Sequence, residues 1–282
     1  MAYDGERAMF EAYGRNRQQA GGVIQWMLNN AWPSLIWHLY DYYLLPAGGY
    51  FGTKKACEPV HVQYAYDDRS IVVVNSTNEP LRSLRVTTTV RDLAMKQRGQ
   101  FADAVDVAPD SVQTVRTLPA FDDISSTYFV KLTLTNSAGQ LLSDNLYWLP
   151  TKQDAFDWNK STWYYTPLSA YADLTALRTL PPAQLAVRAH TERRGAEETL
   201  RVRLANPQPP LAFFVRLHLT RGRNGEDLVP VLWQDNYISL LPGEQRELTA
   251  TYRVRDLHGA SPALTVAGWN VARRAVVIAA GR

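Results

Sequence analysis

Cysteine is all but absent: of 282 residues, only Cys57 carries a thiol. One thiol makes no internal disulfide, and without a second cysteine there is no CxxC pair for zinc or redox work. A lone cysteine at this point of the chain is expected simply to be packed. The histidines, His38, His61, His190, His218 and His258, are scattered without ligand spacing, so neither a metal site nor a cofactor is expected. Long apolar runs are missing too; none approaches the roughly 18 residues of a membrane helix. The opening Met1-Ala2-Tyr3-Asp4-Gly5-Glu6 has neither a basic start nor an apolar run, so no secretory signal is legible and the compartment stays open. No glycine-rich phosphate loop occurs, and Ser34, Ser125 and Ser126 lack a nucleophile-elbow context. Nor is charge one-sided: Lys+Arg 30 against Asp+Glu 27 leaves a net +3. The one dense basic patch, Arg188, Arg193, Arg194, Arg201 and Arg203, is offset by Glu192, Glu197 and Glu198 and reads as a solvated surface. With no nucleic-acid motif and no spanning segment, neither nucleic acid nor membrane is expected as a partner. Asn75-Ser76-Thr77 and Asn159-Lys160-Ser161 are formal glycosylation triplets of a kind that chance often produces.

What the chain does have is a 46% hydrophobic composition, enough for real cores, and a length that suggests two domains. Residues 4–20 read as a helix: Asp4 can cap it, Met9, Ala12, Tyr13 and Asn16 share a face, and Gly21-Gly22 stops it. Val23-Ile24-Gln25-Trp26-Met27-Leu28 then reads as a short buried strand, apolar on both faces, as parallel barrel strands are. Helix, tight turn and apolar strand make half a (β/α) unit. In such barrels the site lies at the C-terminal ends of the strands, here Met27 to Trp32. An irregular aromatic loop and a helix fragment near Phe51 to Cys57 follow, and Glu58-Pro59 marks a boundary.

Beyond it the period changes to two. His61–Tyr66, Ser70–Asn75, Leu84–Val90, Phe129–Leu134 and Asn145–Leu149 read as strands separated by turn residues, which suggests an antiparallel β-sandwich over 58–150. Residues 151–180 form a connector with Phe156, Trp158, Trp163, Tyr164, Tyr165 and Tyr171. That is not linker composition, so it is expected to pack. A second sandwich follows over 181–282, with strands at Gln184–Ala189, Thr199–Leu204, Ala212–Leu219, Glu247–Tyr252 and Leu264–Val271. A faint repeat links the sandwiches: the strand ending at Asn75 and turning through Pro80 resembles the strand ending at Asn206 and turning through Pro207. Asn at a strand end bonds local backbone, so this points to shared topology rather than a binding code.

The densest chemistry is in Gln25-Trp26-Met27-Leu28-Asn29-Asn30-Ala31-Trp32-Pro33-Ser34 and Trp37-His38-Leu39-Tyr40-Asp41-Tyr42-Tyr43. Flat aromatic faces beside short amides and a carboxylate suit a sugar, because rings stack on pyranose C–H faces while Asn and Asp bond hydroxyls. Aromatics also simply fill cores. The block, continued by Tyr50-Phe51-Gly52-Thr53-Lys54-Lys55-Ala56-Cys57-Glu58-Pro59-Val60-His61-Val62-Gln63, resembles the last barrel strand and following loop of glycoside hydrolase family 2. Within that family it resembles the exo-β-D-glucosaminidases, which trim glucosamine from chitosan oligomers. The related endo-β-mannosidases share much of it.

The resemblance implies a mainly β chain: two Ig-like β-sandwich domains preceded by a C-terminal remnant (last helix, strand and loop) of a (β/α)8 barrel, residues 1–57. It implies an oligosaccharide substrate containing glucosamine, partnership with the N-terminal domains of a parent enzyme, and a family often secreted or periplasmic. It further implies that Trp26, Asn29, Asn30, Trp32, Trp37 and Asp41 wall the sugar pocket. Each has a structural alternative: Trp26 in a core, either Asn in the turn, Trp32 and Trp37 at a domain junction, Asp41 paired with Lys54 or Lys55. Retaining glycosidases need an acid and a nucleophile about 5–5.5 Å apart. Here Asp41 is the only acid in the block, and Glu6 and Glu11 are expected to face solvent. No catalytic residue is therefore assigned, and the family's pair is expected upstream of Met1. The alternative is a non-catalytic carbohydrate-binding or scaffolding module, holding polysaccharide through exposed Trp158, Trp163 and Trp233.

Overall fold

The structure, a computed structural model, describes residues 2–34 and 37–280. It is mainly β, and it divides into two compact units: Phe10–Gly22 with Ala56–Leu180, and Met1–Met9 with Val23–Lys55 and Pro181–Arg282. The helices are α1 (Ala2–Asn16), whose two halves belong to different units, and α2 (Gly48–Ala56). Neither is long and apolar enough to cross a membrane.

Helix α1 ends four residues before its expected stop. The Asn16 amide donates to the Ala12 carbonyl, and the Gln19 and Ala20 amides fold back onto the Asn16 carbonyl. The next side chains are already committed to the sandwich: Arg17 donates to the Asn75 carbonyl and pairs with Asp110. Asp4 lies within the first turn and pairs with Arg7 at 2.9 Å. The buried face is also not the expected one. Tyr3, Glu6, Arg7 and Glu11 are buried, while Met9 and Ala12 are exposed.

The unit that begins at Phe10 contains the first sandwich. Its strands are β1 (Val60–Tyr64), β2 (Ser70–Asn75), β3 (Leu81–Asp92), β4 (Gln97–Val107), β5 (Ser111–Thr117), β6 (Thr127–Thr135) and β7 (Leu141–Pro150). One sheet has the order β1-β2-β5 and the other β4-β3-β6-β7. Period-two alternation sends Leu84, Val86 and Val90 of β3 and Val130, Leu132 and Leu134 of β6 inward, against Val62, Ile71 and Val73. Two short strands, β8 (Ala155–Phe156) and β9 (Leu168–Ala170), pair within the connector. The connector does not bury its rings: Phe156, Trp158, Tyr164, Tyr165 and Tyr171 are exposed, and Trp163 is 93% exposed. The rings stack on one another instead, Phe156 on Trp158 at 5.3 Å and Trp163 against Tyr164 at 4.9 Å. Polar bonds close the turn between them, from the Tyr165 amide to the Thr162 hydroxyl and between the Ser161 and Thr166 hydroxyls.

The other unit contains the second sandwich: β10 (Ala186–Arg194), β11 (Glu197–Ala205), β12 (Ala212–Arg221), β13 (Leu232–Trp233), β14 (Ile238–Leu240), β15 (Gln245–Arg253), β16 (Pro262–Ala267), β17 (Arg274–Val276) and β18 (Ile278–Ala280). The sheet β13-β15-β11-β10-β18 and the sheet β14-β12-β16-β17 contribute Leu200, Val202, Leu204, Val215, Leu217, Leu248, Tyr252 and Val266 to the core. Strand β16 stops at Ala267, short of the expected Val271. There the Gly268 amide turns back to the Val271 carbonyl, and the Asn270 amide group donates to the Pro181 and Leu211 carbonyls. The Leu241–Glu244 turn is closed by a Glu244 amide bond to Leu241. Gly243 takes φ +81°, a conformation that favours glycine.

The faint repeat has a common physical basis. Asn75 donates to the carbonyls of Glu79 and Ala108 and accepts from the Thr77 amide. Asn206 donates to the carbonyls of Pro210 and Leu240 and accepts from the Gln208 amide. Each asparagine is buried and pins the crossing out of its strand. The Asn75 triplet is thus not an accessible glycosylation site.

Candidate functional site

The aromatic block lies in the same unit as the second sandwich and is seated on it by rings. Tyr3 meets Phe214 edge-on at 5.4 Å, Phe214 meets Tyr237 at 5.3 Å, and Tyr237 meets Phe51 of α2 at 5.8 Å. Gly52 presses against α1: a methyl group there would lie 2.2 Å from the Tyr3 carbonyl oxygen. Lys54 donates to the Trp233 carbonyl at 2.7 Å. These contacts fix the platform from which residues 23–47 project.

Residues 23–28 do not form the expected strand. Every residue from Gly21 to Gln25 is unpaired coil, Ile24 is 92% exposed, and Met27 and Leu28 are exposed. A strand buried on both faces needs neighbours on both edges, and the described residues offer none. What order the segment has comes from isolated bridges. Asn29 pairs with Tyr40 in parallel and Tyr40 with Pro46 in antiparallel fashion, supported by the Tyr40 amide to Leu28 carbonyl bond of 2.9 Å.

The predicted site residues separate into two groups. Trp26, Asn29, Trp32 and Trp37 are exposed, with Trp26 at 71%. Trp26 and Trp37 are tied together: the Trp37 indole N–H donates to the Trp26 carbonyl, and Gln25 donates to the Trp37 carbonyl at 3.0 Å. Asn30 and Asp41, by contrast, build the loop. Asn30 is 8% exposed, and its side-chain oxygen accepts from the Ser34 hydroxyl. One Asp41 oxygen accepts from the amides of both Tyr43 and Leu45 at 2.9 Å, which closes that turn. Sequence reasoning missed Glu6. It is buried beneath this loop with Gln25 as a hydrogen-bond partner, and its carboxyl is pushed up by burial, partly offset by that bond. Its i, i+3 and i+4 relation to Tyr3 and Phe10 was the available signal.

Chemically, this surface can stack and hydrogen-bond but has no paired carboxyl groups. Glu6 and Glu11, expected in solvent, are both buried. Glu11 belongs to the unit of the first sandwich, where its Oε1 lies 2.9 Å from His61 Nε2 and accepts from Asn145 and Tyr147. Glu58 approaches the other ring nitrogen, Nδ1, at 3.2 Å and accepts from Ser143 at 2.9 Å. Two carboxylates thus converge on one histidine, but Glu11 is only 1% exposed, out of reach of a polymer. Among the described residues no three His, Cys, Asp or Glu side chains group as metal ligands. Cys57, expected to be packed, is exposed at the end of α2, and partial burial of its thiol pushes its pKa up.

Two family models and several known proteins match the chain. Residues 163–271 match the exo-β-D-glucosaminidase Ig-fold domain, and residues 67–153 match the mannosidase Ig/CBM-like domain. The exo-β-D-glucosaminidase of Streptomyces avermitilis is 42% identical over 97% of this chain and 31% of that protein. The crystal structure of the Amycolatopsis orientalis exo-chitosanase CsxA superposes with a TM-score of 0.93 at 39% identity, covering 98% of this chain and 33% of that one. Over nearly its whole length the chain is thus similar to about a third of these exo-β-D-glucosaminidases. A more distant relative is the mannosylglycoprotein endo-β-mannosidase of Lilium longiflorum, 25% identical over 94% of this chain and 32% of that protein. The chain spans about a third of the length of these relatives, and the match falls in their C-terminal segment, which carries the accessory Ig-like domains.

Proposed function

We propose that this chain is the wall-and-scaffold portion of a retaining exo-β-D-glucosaminidase acting on chitosan oligosaccharides. Residues 1–57 are then the end of a (β/α)8 barrel, 58–150 and 181–282 its two Ig-like sandwiches, and 151–180 the connector. The observation that carries the reading is the exposed pair Trp26 and Trp37, tied by the Trp37 indole bond to the Trp26 carbonyl, together with similarity to proteins named exo-β-D-glucosaminidases. Indole faces of this kind suit the C–H face of a pyranose. Asn30 and Asp41 hold the loop in shape around them. Protonation of the glycosidic oxygen and formation of the glycosyl-enzyme fall to carboxyl groups supplied by other domains of the parent enzyme. The unpaired segment at Val23–Leu28 is the edge those domains cover, since exposed apolar surface of this extent calls for a partner.

The test is tryptophan fluorescence of the chain titrated with a chitosan tetramer. The expected result is a saturable change that is reduced by about tenfold in affinity in Trp26→Ala, the worth of one lost stacking contact. A titration unchanged by Trp26→Ala would contradict the assignment. A second reading, polysaccharide held by the connector, rests on the exposure of Trp158 and Trp163. The buried Trp233 has no part in it. That reading predicts that Trp163→Ala, not Trp26→Ala, abolishes the response.

A further inference from the structure

The outer face of the sheet β14-β12-β16-β17 carries a trough of about 640 Å³. Register builds its floor. Leu217, Leu219, Leu264 and Val266 point into the core, so the residues alternating with them point out. His218 stands opposite Thr265, Thr265 opposite Ala275, and Thr220 opposite Ala263. Four short side chains in neighbouring strands, Thr220, Ala263, Thr265 and Ala275, keep the floor low. One wall is the loop after β12, fixed by the Thr220 hydroxyl bond to the Gly222 carbonyl and by the Arg221 amide bond to the Glu226 carbonyl, both 2.8 Å. It brings Arg223 and Asn224 to the rim. The other wall is Arg273 and Arg274, at the start of β17.

Charge in this trough is unbalanced. Three guanidinium groups face one carboxylate, Asp227, and that carboxylate is engaged with His218 Nε2 at 2.6 Å. Arg274 donates to the Leu185 carbonyl. Among the described residues, Arg223 and Arg273 have neither an ion pair nor a hydrogen-bond partner. Two other arginines of the same sandwich are matched, Arg201 by Glu192 and Glu247 and Arg221 by Glu226. The imidazole of His218 registers the excess: burial, then Arg216, lower its pKa, and Arg273 adds to them against the pull of Asp227.

We propose that this trough binds an oxyanion, a carboxylate or phosphate group carried on a small polar molecule, between Arg223 and Arg273. Guanidinium forks match the paired oxygens of either group, and Asn224 and Thr265 stand where hydroxyls of the same molecule would need partners. The volume is that of a small-molecule site. The proposal is independent of the sugar-wall reading, because it uses different residues.

The experiment is calorimetric titration of the 282-residue chain at low ionic strength with sodium phosphate and, separately, sodium glucuronate. It is repeated with the double variant Arg223→Gln, Arg273→Gln, whose changed side chains are exposed and carry no core contact. The expected result is saturable binding of at least one anion, weakened at least about tenfold in the variant. Preference for phosphate identifies a phosphorylated ligand, and preference for glucuronate a carboxylated sugar. The His218 imidazole pKa, followed by NMR, is expected to rise in Arg273→Gln. Absence of saturable binding by either anion below about 0.1 M, where screening becomes severe, or equal affinity in the variant, would overturn the proposal.

Discussion

Glu11 and His61 show what a buried polar pair does in this molecule. Both are about 1% exposed and lie in one unit; Asn145 and Tyr147 donate to the same Glu11 oxygen that meets His61, and Glu58, itself bonded by Ser143, meets the other ring nitrogen. Burial alone would lower the pKa of His61, but the hydrogen bonds and charges of Glu11 and Glu58 outweigh it, and the net direction is up. The folded form therefore holds the proton more tightly than the unfolded chain, whose histidine titrates near pH 6.5. The stability it contributes is complete below that value and is lost as pH rises through the raised folded value. Urea unfolding of the chain is expected to show a midpoint that falls with pH above about 6.5, and His61→Gln is expected to flatten that dependence. Glu11→Ala, which strands a buried imidazolium, is expected to cost about 3–5 kcal/mol. A loss below about 0.5 kcal/mol, the range of an ordinary surface substitution, would show that the helix is not held by this group.

At the scale of elements, the strands of the two sandwiches were largely legible, because one apolar face per strand leaves a period-two trace. β6, β11, β12 and β15 all lie within a few residues of expectation. β4 and β5 were not legible, for physical reasons. In β4 Phe101, Val105 and Val107 face the core, but Asp103 interrupts that face and the exposed Ala102 and Ala104 blur the alternation. In β5, Thr114 pairs with Val72 and Arg116 with Ile71, so Val115 is an extra residue that breaks the alternation. The helix α1 misled because its buried face is built of Glu6, Arg7 and Glu11, and both glutamates find partners beyond the helix, Glu6 at Gln25 and Glu11 at His61, Asn145 and Tyr147. Of the candidate site, the exposed indoles were legible as residues; Phe214 and Tyr237, which seat the loop, were not, since nothing local marks them, and Glu6 was marked only by its helical spacing from Tyr3 and Phe10. The seating of α2 makes its own prediction. Gly52→Ala puts a methyl group against the Tyr3 carbonyl, and the expected cost is about 1–3 kcal/mol, measured as a drop in the denaturation midpoint without a change in slope. An unchanged midpoint would mean that α1 and α2 are not in contact as described.

At the scale of the molecule, function divides between what is present and what is not. Present are two Ig-like sandwiches, a loop of exposed indoles seated on the second of them, and an arginine-lined trough on that sandwich's outer face. No accessible pair of carboxyl groups at the spacing of a retaining glycosidase occurs among the described residues of the aromatic block. The relatives it matches are about three times as long. The central claim is that these residues shape a sugar site without performing the cleavage. The measurement that tests it most directly is release of p-nitrophenol from p-nitrophenyl β-D-glucosaminide by the purified 282-residue chain. The account predicts no turnover above the buffer rate. Saturable turnover would contradict it, and would mean that carboxylates within this chain carry out the reaction.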